Sequence, residues 1–72
     1  MKKEEALLKI GLKIKELREE KNMSQQDLAA ACNFEKSNMS RIESGGSNFT
    51  IGTLLKICNG LNVSLKDVVD IK

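Results

Sequence analysis

Seventy-two residues fit one small domain, for which folding buries only roughly 60% of the extended chain's surface. The 40% of apolar residues supply one core and leave no room for a deep substrate cavity, while twelve Lys+Arg against ten Asp+Glu give a net charge of only +2, so a nucleic-acid role rests on where the charges sit. There is no His, Tyr or Trp, which removes the commonest general base and metal ligand and leaves Phe34 and Phe49 as the only aromatics; no catalysis, metal or cofactor is expected.

The absence of Pro and the abundance of Leu, Ile, Lys, Glu and Ala favour helix throughout. Leu7, Ile10, Ile14 and Leu17 recur at 3-4-3 spacing and predict an amphipathic helix over about Lys3 to Lys21. Glu4 and Glu5 suit its positive end, and Asn22 can take the left-handed conformation that stops it. Leu8 and Leu12 fall on a different side, and the pattern leaves open whether they pack on a helix, meet a partner or face water. Ser24-Gln25-Gln26-Asp27 reads as a capped start for a short second helix to about Ala31, burying Leu28 and Ala29. Asn33 takes the turn and Phe34 anchors the entry to the next helix. That third helix covers about Lys36 to Ser44, with Met39 and Ile42 inward and Gly45 ending it. Thr50 opens a fourth helix with Ile51, Leu54, Leu55, Cys58 and Leu61 expected inward. Ser64-Leu65-Lys66-Asp67 opens a short fifth, with Val68 and Val69 expected to pack back. The expected fold is all-α: a five-helix domain over residues 1–72 with a central helix-turn-helix at about 24–44.

Cys32 and Cys58 cannot make a four-ligand zinc site without His. The start Met1-Lys2-Lys3-Glu4-Glu5 is not followed by a secretory apolar core, because Lys9 and Lys13 interrupt it. The longest uncharged run, Ser44 to Leu55, is far short of the ~20 apolar residues that span a membrane. A cytoplasmic location at the nucleoid is expected, away from membranes, with reduced thiols. Both cysteines then read as small buried apolar residues, with a redox role as the alternative.

The second and third helices carry the functional signal. With Met39 as the inward reference at 100° per residue, Ser37, Arg41 and Ser44 fall roughly opposite and Ser40 near the edge of that face, with Lys36 at the helix start. The outward surface is short, polar and cationic, and a helix of this kind fits a major groove about 12 Å wide. An ordinary solvated face accounts for the pattern equally well on this count alone. On the same count Arg18 and Glu43 point inward, two opposite charges aimed into one core.

The stretch Ile14 to Leu65 resembles the Cro/Xre-type helix-turn-helix family, the fold of lambda-repressor-like DNA-binding domains. Leu17-Arg18, Met23-Ser24-Gln25, Leu28-Ala29, Met39-Ser40-Arg41-Ile42-Glu43 and Gly45 carry the likeness, continued by Thr53-Leu54-Leu55-Lys56-Ile57 and Leu61-Asn62-Val63-Ser64. Departures are Asn33 for the usual Gly, Phe49 where Pro is common, Ser44 where a basic residue is frequent, and Glu35 as a weak cap. The resemblance implies that Lys36, Ser37, Ser40 and Arg41 reach base edges. It places Ser24, Gln25, Asn38, Ser47 and Asn48 against the DNA backbone, and makes Arg18 and Glu43 a structural ion pair. The function this implies is a sequence-specific regulator binding a double-stranded DNA operator, acting as a homodimer. The rival is a protein-interaction module, antitoxin-like or a repressor's partner, for which a protein partner would take the place of DNA.

Overall fold

The spacing of apolar residues and the caps resolve into five helices in the computed structural model, which describes residues 1–71. These are α1 (Lys3–Glu20), α2 (Gln25–Cys32), α3 (Lys36–Glu43), α4 (Ile51–Leu61) and α5 (Leu65–Val69), with no strand among the described residues. Lys72, the last residue of the expected domain, lies outside them. Each helix ends within a residue or so of its expected boundary, and the reasons are local. Ser24 and Ser64 each accept from the backbone N–H three residues on, while Asp27 and Asp67 return the bond, so both capping boxes close. Thr50 Oγ1 accepts from Thr53 N at 3.2 Å and caps α4. Asn22, Asn33 and Asn62 all take positive φ (57°, 60° and 57°) at helix exits, a role Asn fills because its short polar side chain tolerates the left-handed region. Gly45 (φ 82°) does the same after α3.

Every helix contributes to one core. Ile14 of α1, Leu28 of α2, Met39 and Ile42 of α3, Leu54, Ile57 and Leu61 of α4 and Val68 of α5 are all sealed from water. Three residues expected inside are not there: Ile51, Leu55 and Val69 are 63%, 44% and 42% exposed, whereas Ile57 is fully buried. The buried set of α4, Leu54, Ile57, Cys58 and Leu61, covers an arc of about 100°, and Ile51 and Leu55 lie about 20° and 60° beyond its edge at 100° per residue. The apolar stripe of α4 is wider than the face its neighbours cover. Val69 follows the buried Val68 and is turned about 100° away from it. Leu8 and Leu12 face water, at 49% and 53% exposure.

α1 lies unusually close to the end of α3 because Gly11 has no side chain. A Cβ there would sit 2.5 Å from the Glu43 carbonyl oxygen and 2.6 Å from that of Ile42. Both obstacles are backbone, so neither can swing aside. Gly11→Ala should therefore destabilise the fold by roughly 1–3 kcal/mol, although Ala is the better helix former by up to ~1 kcal/mol. Urea unfolding checks this, and a raised midpoint would show that the two helices are not held this tightly.

Candidate nucleic-acid interface

The turn between α2 and α3 is fixed at both sides. Asn33 closes α2 in the left-handed region, and Phe34 N donates to Ala29 O at 2.7 Å. Phe34 is half-buried against the core, and Lys56 Nζ stands 6.0 Å from its ring centroid, within cation–π range. α3 then lies with Met39 and Ile42 locked inward at 0% and 1% exposure. Its opposite face is set by that packing: Lys36, Ser37, Ser40, Arg41 and Ser44 are exposed, and Asn38 is half-buried. Ser44 Oγ donates to Arg41 O at 3.0 Å, so its hydroxyl is spent within its own helix. Among the described residues neither Lys36 nor Arg41 enters an ion pair, leaving both cations available on the surface.

At the start of α2, Ser24 N donates to Asp27 Oδ2 at 2.9 Å and Asp27 N donates to Ser24 Oγ at 3.0 Å. The bond from the Ser24 amide and, after it, one from the Ser24 hydroxyl hold the Asp27 carboxyl below its usual range, so it is an anion at neutral pH. The capping box thus engages the Ser24 amide, its hydroxyl proton and one hydroxyl lone pair. What remains outward at this helix start is the pair of Gln25 and Gln26 amides, which have no carbonyl four residues back within the helix. Ser47 is half-buried and Asn48 exposed, both in the loop between α3 and α4.

Beneath this surface sits a polar network joining three helices. Arg18 Nε donates to Glu43 Oε2 at 2.8 Å and its Nη2 donates to Glu43 Oε1 at 3.1 Å, a two-pronged pair buried on both sides. Arg18 Nη1 donates to Met23 O at 2.7 Å, which ties down the link between α1 and α2. Gln25 Nε2 donates to Glu43 Oε1 at 3.0 Å. The Glu43 hydrogen bond holds the Arg18 guanidinium protonated beyond its already high ordinary value. A surface groove of about 250 Å³ runs over this network and brings Gln25, Glu43, Ser40 and Ser44 together with Leu8, Leu12 and Lys15.

The helix-turn-helix family model HTH_3 matches residues 14–68. The chain belongs to the Cro/Xre-type helix-turn-helix family. Control protein C.BamHI of Bacillus amyloliquefaciens is 38% identical over 64 residues, covering 88% of this chain and 79% of that protein. The restriction–modification controller protein C.AhdI of Aeromonas hydrophila has a TM-score of 0.84 at 29% identity, over 86% of this chain and 94% of its own. The controller protein C.Esp1396I, solved as a tetramer in complex with its natural 35-base-pair operator, has a TM-score of 0.79 at 36% identity, over 89% and 95%.

Two features of this helix-turn-helix member escaped the sequence. The tie from Gln25 to Glu43 spans eighteen positions in the chain and leaves no local signal. Gly11 does leave one: a lone glycine inside a strongly helical stretch marks a close backbone approach. The cysteines are buried; Cys32 Sγ donates to Lys56 O at 3.5 Å. Burial pushes both thiols above their ordinary value, which is the opposite of an activated nucleophile. Among the described residues no group of His, Cys, Asp and Glu could hold a metal ion, and no helix is long and apolar enough to cross a membrane.

Proposed function

We infer that this chain is a sequence-specific, double-stranded DNA-binding transcriptional regulator that acts as a homodimer and controls restriction–modification genes, with α3 in the major groove. One observation carries the reading: α3 is clamped to the core by Met39 and Ile42 while its far side offers Lys36, Ser37, Ser40 and Arg41 to the solvent, both cations unpaired among the described residues. Arg41 is the fork donor of that face and suits guanine O6 and N7; Ser37 and Ser40 discriminate more weakly because a hydroxyl both donates and accepts. In this reading Ser24, Gln25, Asn38, Ser47 and Asn48 contact phosphates, which sets register and carries no base information.

The relatives support the dimer and the role: controller proteins share the fold, and one of them binds its operator as a tetramer. Ile51 and Leu55 side by side on α4, exposed in the single chain, agree with a second copy covering them. A two-fold dimer reads half-sites about one helical turn apart. The chain works where the genome is, in the cytoplasm, and the reading asks no catalytic step of it.

Selection from a pool of random duplexes, followed by sequencing of the retained fraction, tests the reading and yields the operator. On single-base-pair variants of that operator, Arg41→Ala should lose roughly 1–3 kcal/mol at one position per half-site and relax the preference there. Its stability should be nearly unchanged, because Arg41 is exposed on the side of α3 away from the core. Uniform weakening across all variants would make Arg41 a backbone contact, and no change would bring the protein-interaction role forward.

A further inference from the structure

We propose that Glu43 is a positioning residue for DNA: it orients the Gln25 side-chain amide toward phosphate, in addition to pairing with Arg18. This rests on the reading of Gln25 as a phosphate contact. A glutamine amide has two ends of opposite character, and either can face outward. Phosphate oxygens only accept hydrogen bonds, so a Gln25 carbonyl turned toward them repels, and only the –NH₂ end is useful.

A carboxylate settles which end faces it, because it too only accepts. Glu43 Oε1 therefore takes one proton of Gln25 Nε2, at 3.0 Å. The same nitrogen keeps a second N–H, and that proton is held at the half-buried rim of the groove that Gln25 shares with Ser40 of α3. The carboxylate itself is 4% exposed and grasped by Arg18 through both oxygens. Its position is fixed by the core rather than by solvent. The Arg18 charge also cancels that of Glu43, so the anchor adds no net repulsion toward phosphate. The chain of contacts Arg18–Glu43–Gln25 thus runs from α1 through α3 to the first residue of α2, and makes the aim of Gln25 a property of the packed core.

The experiment is a double-mutant cycle of affinity for the selected operator duplex, using the full chain at a temperature where circular dichroism shows every variant folded. Gln25→Ala in the parent should weaken binding about tenfold, the size of one charge-assisted hydrogen bond. In the Glu43→Gln background, where the amide is no longer held by an acceptor-only group, Gln25→Ala should weaken binding less than about twofold. The extra positive charge left by Glu43→Gln is present in both members of its arm and cancels. Glu43→Asp keeps the charge and the Arg18 pair but is one methylene shorter; it serves if Glu43→Gln does not fold, and it should show the same reduced cost. If Gln25→Ala costs about tenfold in every background, Glu43 is structural only and the inference fails while the phosphate contact stands. If Gln25→Ala changes nothing in the parent, the contact itself is absent and both fall.

Discussion

Arg18→Ala should lower stability by roughly 3–5 kcal/mol, the usual cost of leaving one partner of a buried ion pair alone. The loss has three parts in this structure. Glu43, 4% exposed, keeps only the Gln25 amide as a partner; the Met23 carbonyl loses the 2.7 Å bond from Nη1; and the guanidinium's packing between α1 and α3 disappears. A chain of this length has roughly 4–11 kcal/mol of total stability, so the change removes a large share of it. The melting temperature should fall by more than about 12 °C. Lys15→Ala, at an exposed position of the same helix, should stay within about 0.5 kcal/mol. Thermal melts of the two variants decide the matter, and equal small shifts would mean that the pair is not buried in solution. The double change Arg18→Met with Glu43→Leu distinguishes a stranded charge from lost packing. Apolar replacement of a whole buried pair is often neutral, so this variant should recover most of the loss if the stranded carboxylate is its cause.

The pair is legible in the sequence because it combines two independent signs. Each residue falls on the apolar face of its own helix by simple angular counting, and the two charges are opposite. The same counting misplaces Ile51 and Leu55, for a reason peculiar to α4. On that helix six of eleven residues carry apolar side chains, so periodicity defines a broad stripe and only the neighbouring helices decide which part of it is covered. On α3 the core-facing residues Met39 and Ile42 are set among Ser37, Ser40 and Arg41, the stripe is narrow, and the outward face follows from it. The helix ends are legible because caps are local chemistry: Ser24 with Asp27, Ser64 with Asp67, and asparagine at three exits. Gln25 shows the limit. Its helix and its position can be read, but the carboxylate that holds its amide arrives from another helix.

Operator binding should fall about a thousandfold in affinity between 50 and 200 mM salt, the largest change expected of this protein. A net charge of +2 argues against this at first sight, but the total is the wrong quantity. Glu43 is neutralised by Arg18 beneath the surface, and Glu4, Glu5, Glu16, Glu19 and Glu20 all lie on α1. On the proposed reading, a DNA duplex meets the outward side of α3 with Lys36 and Arg41, opposed by Glu35 and by Asp27 at the start of α2. If a dimer neutralises on the order of six phosphates, the log–log slope of affinity against salt is about −5. Lys36→Ala should reduce that slope by about one per half-site and change base preference less than Arg41→Ala does, because an ammonium is a point charge without a fork. Arg41→Ala should instead act mainly on the preference at one base pair. A titration series on the selected operator at several salt concentrations separates the two. A slope near zero for the parent protein would mean that no counterions are displaced, and α3 would then have to be read as a surface for a protein partner.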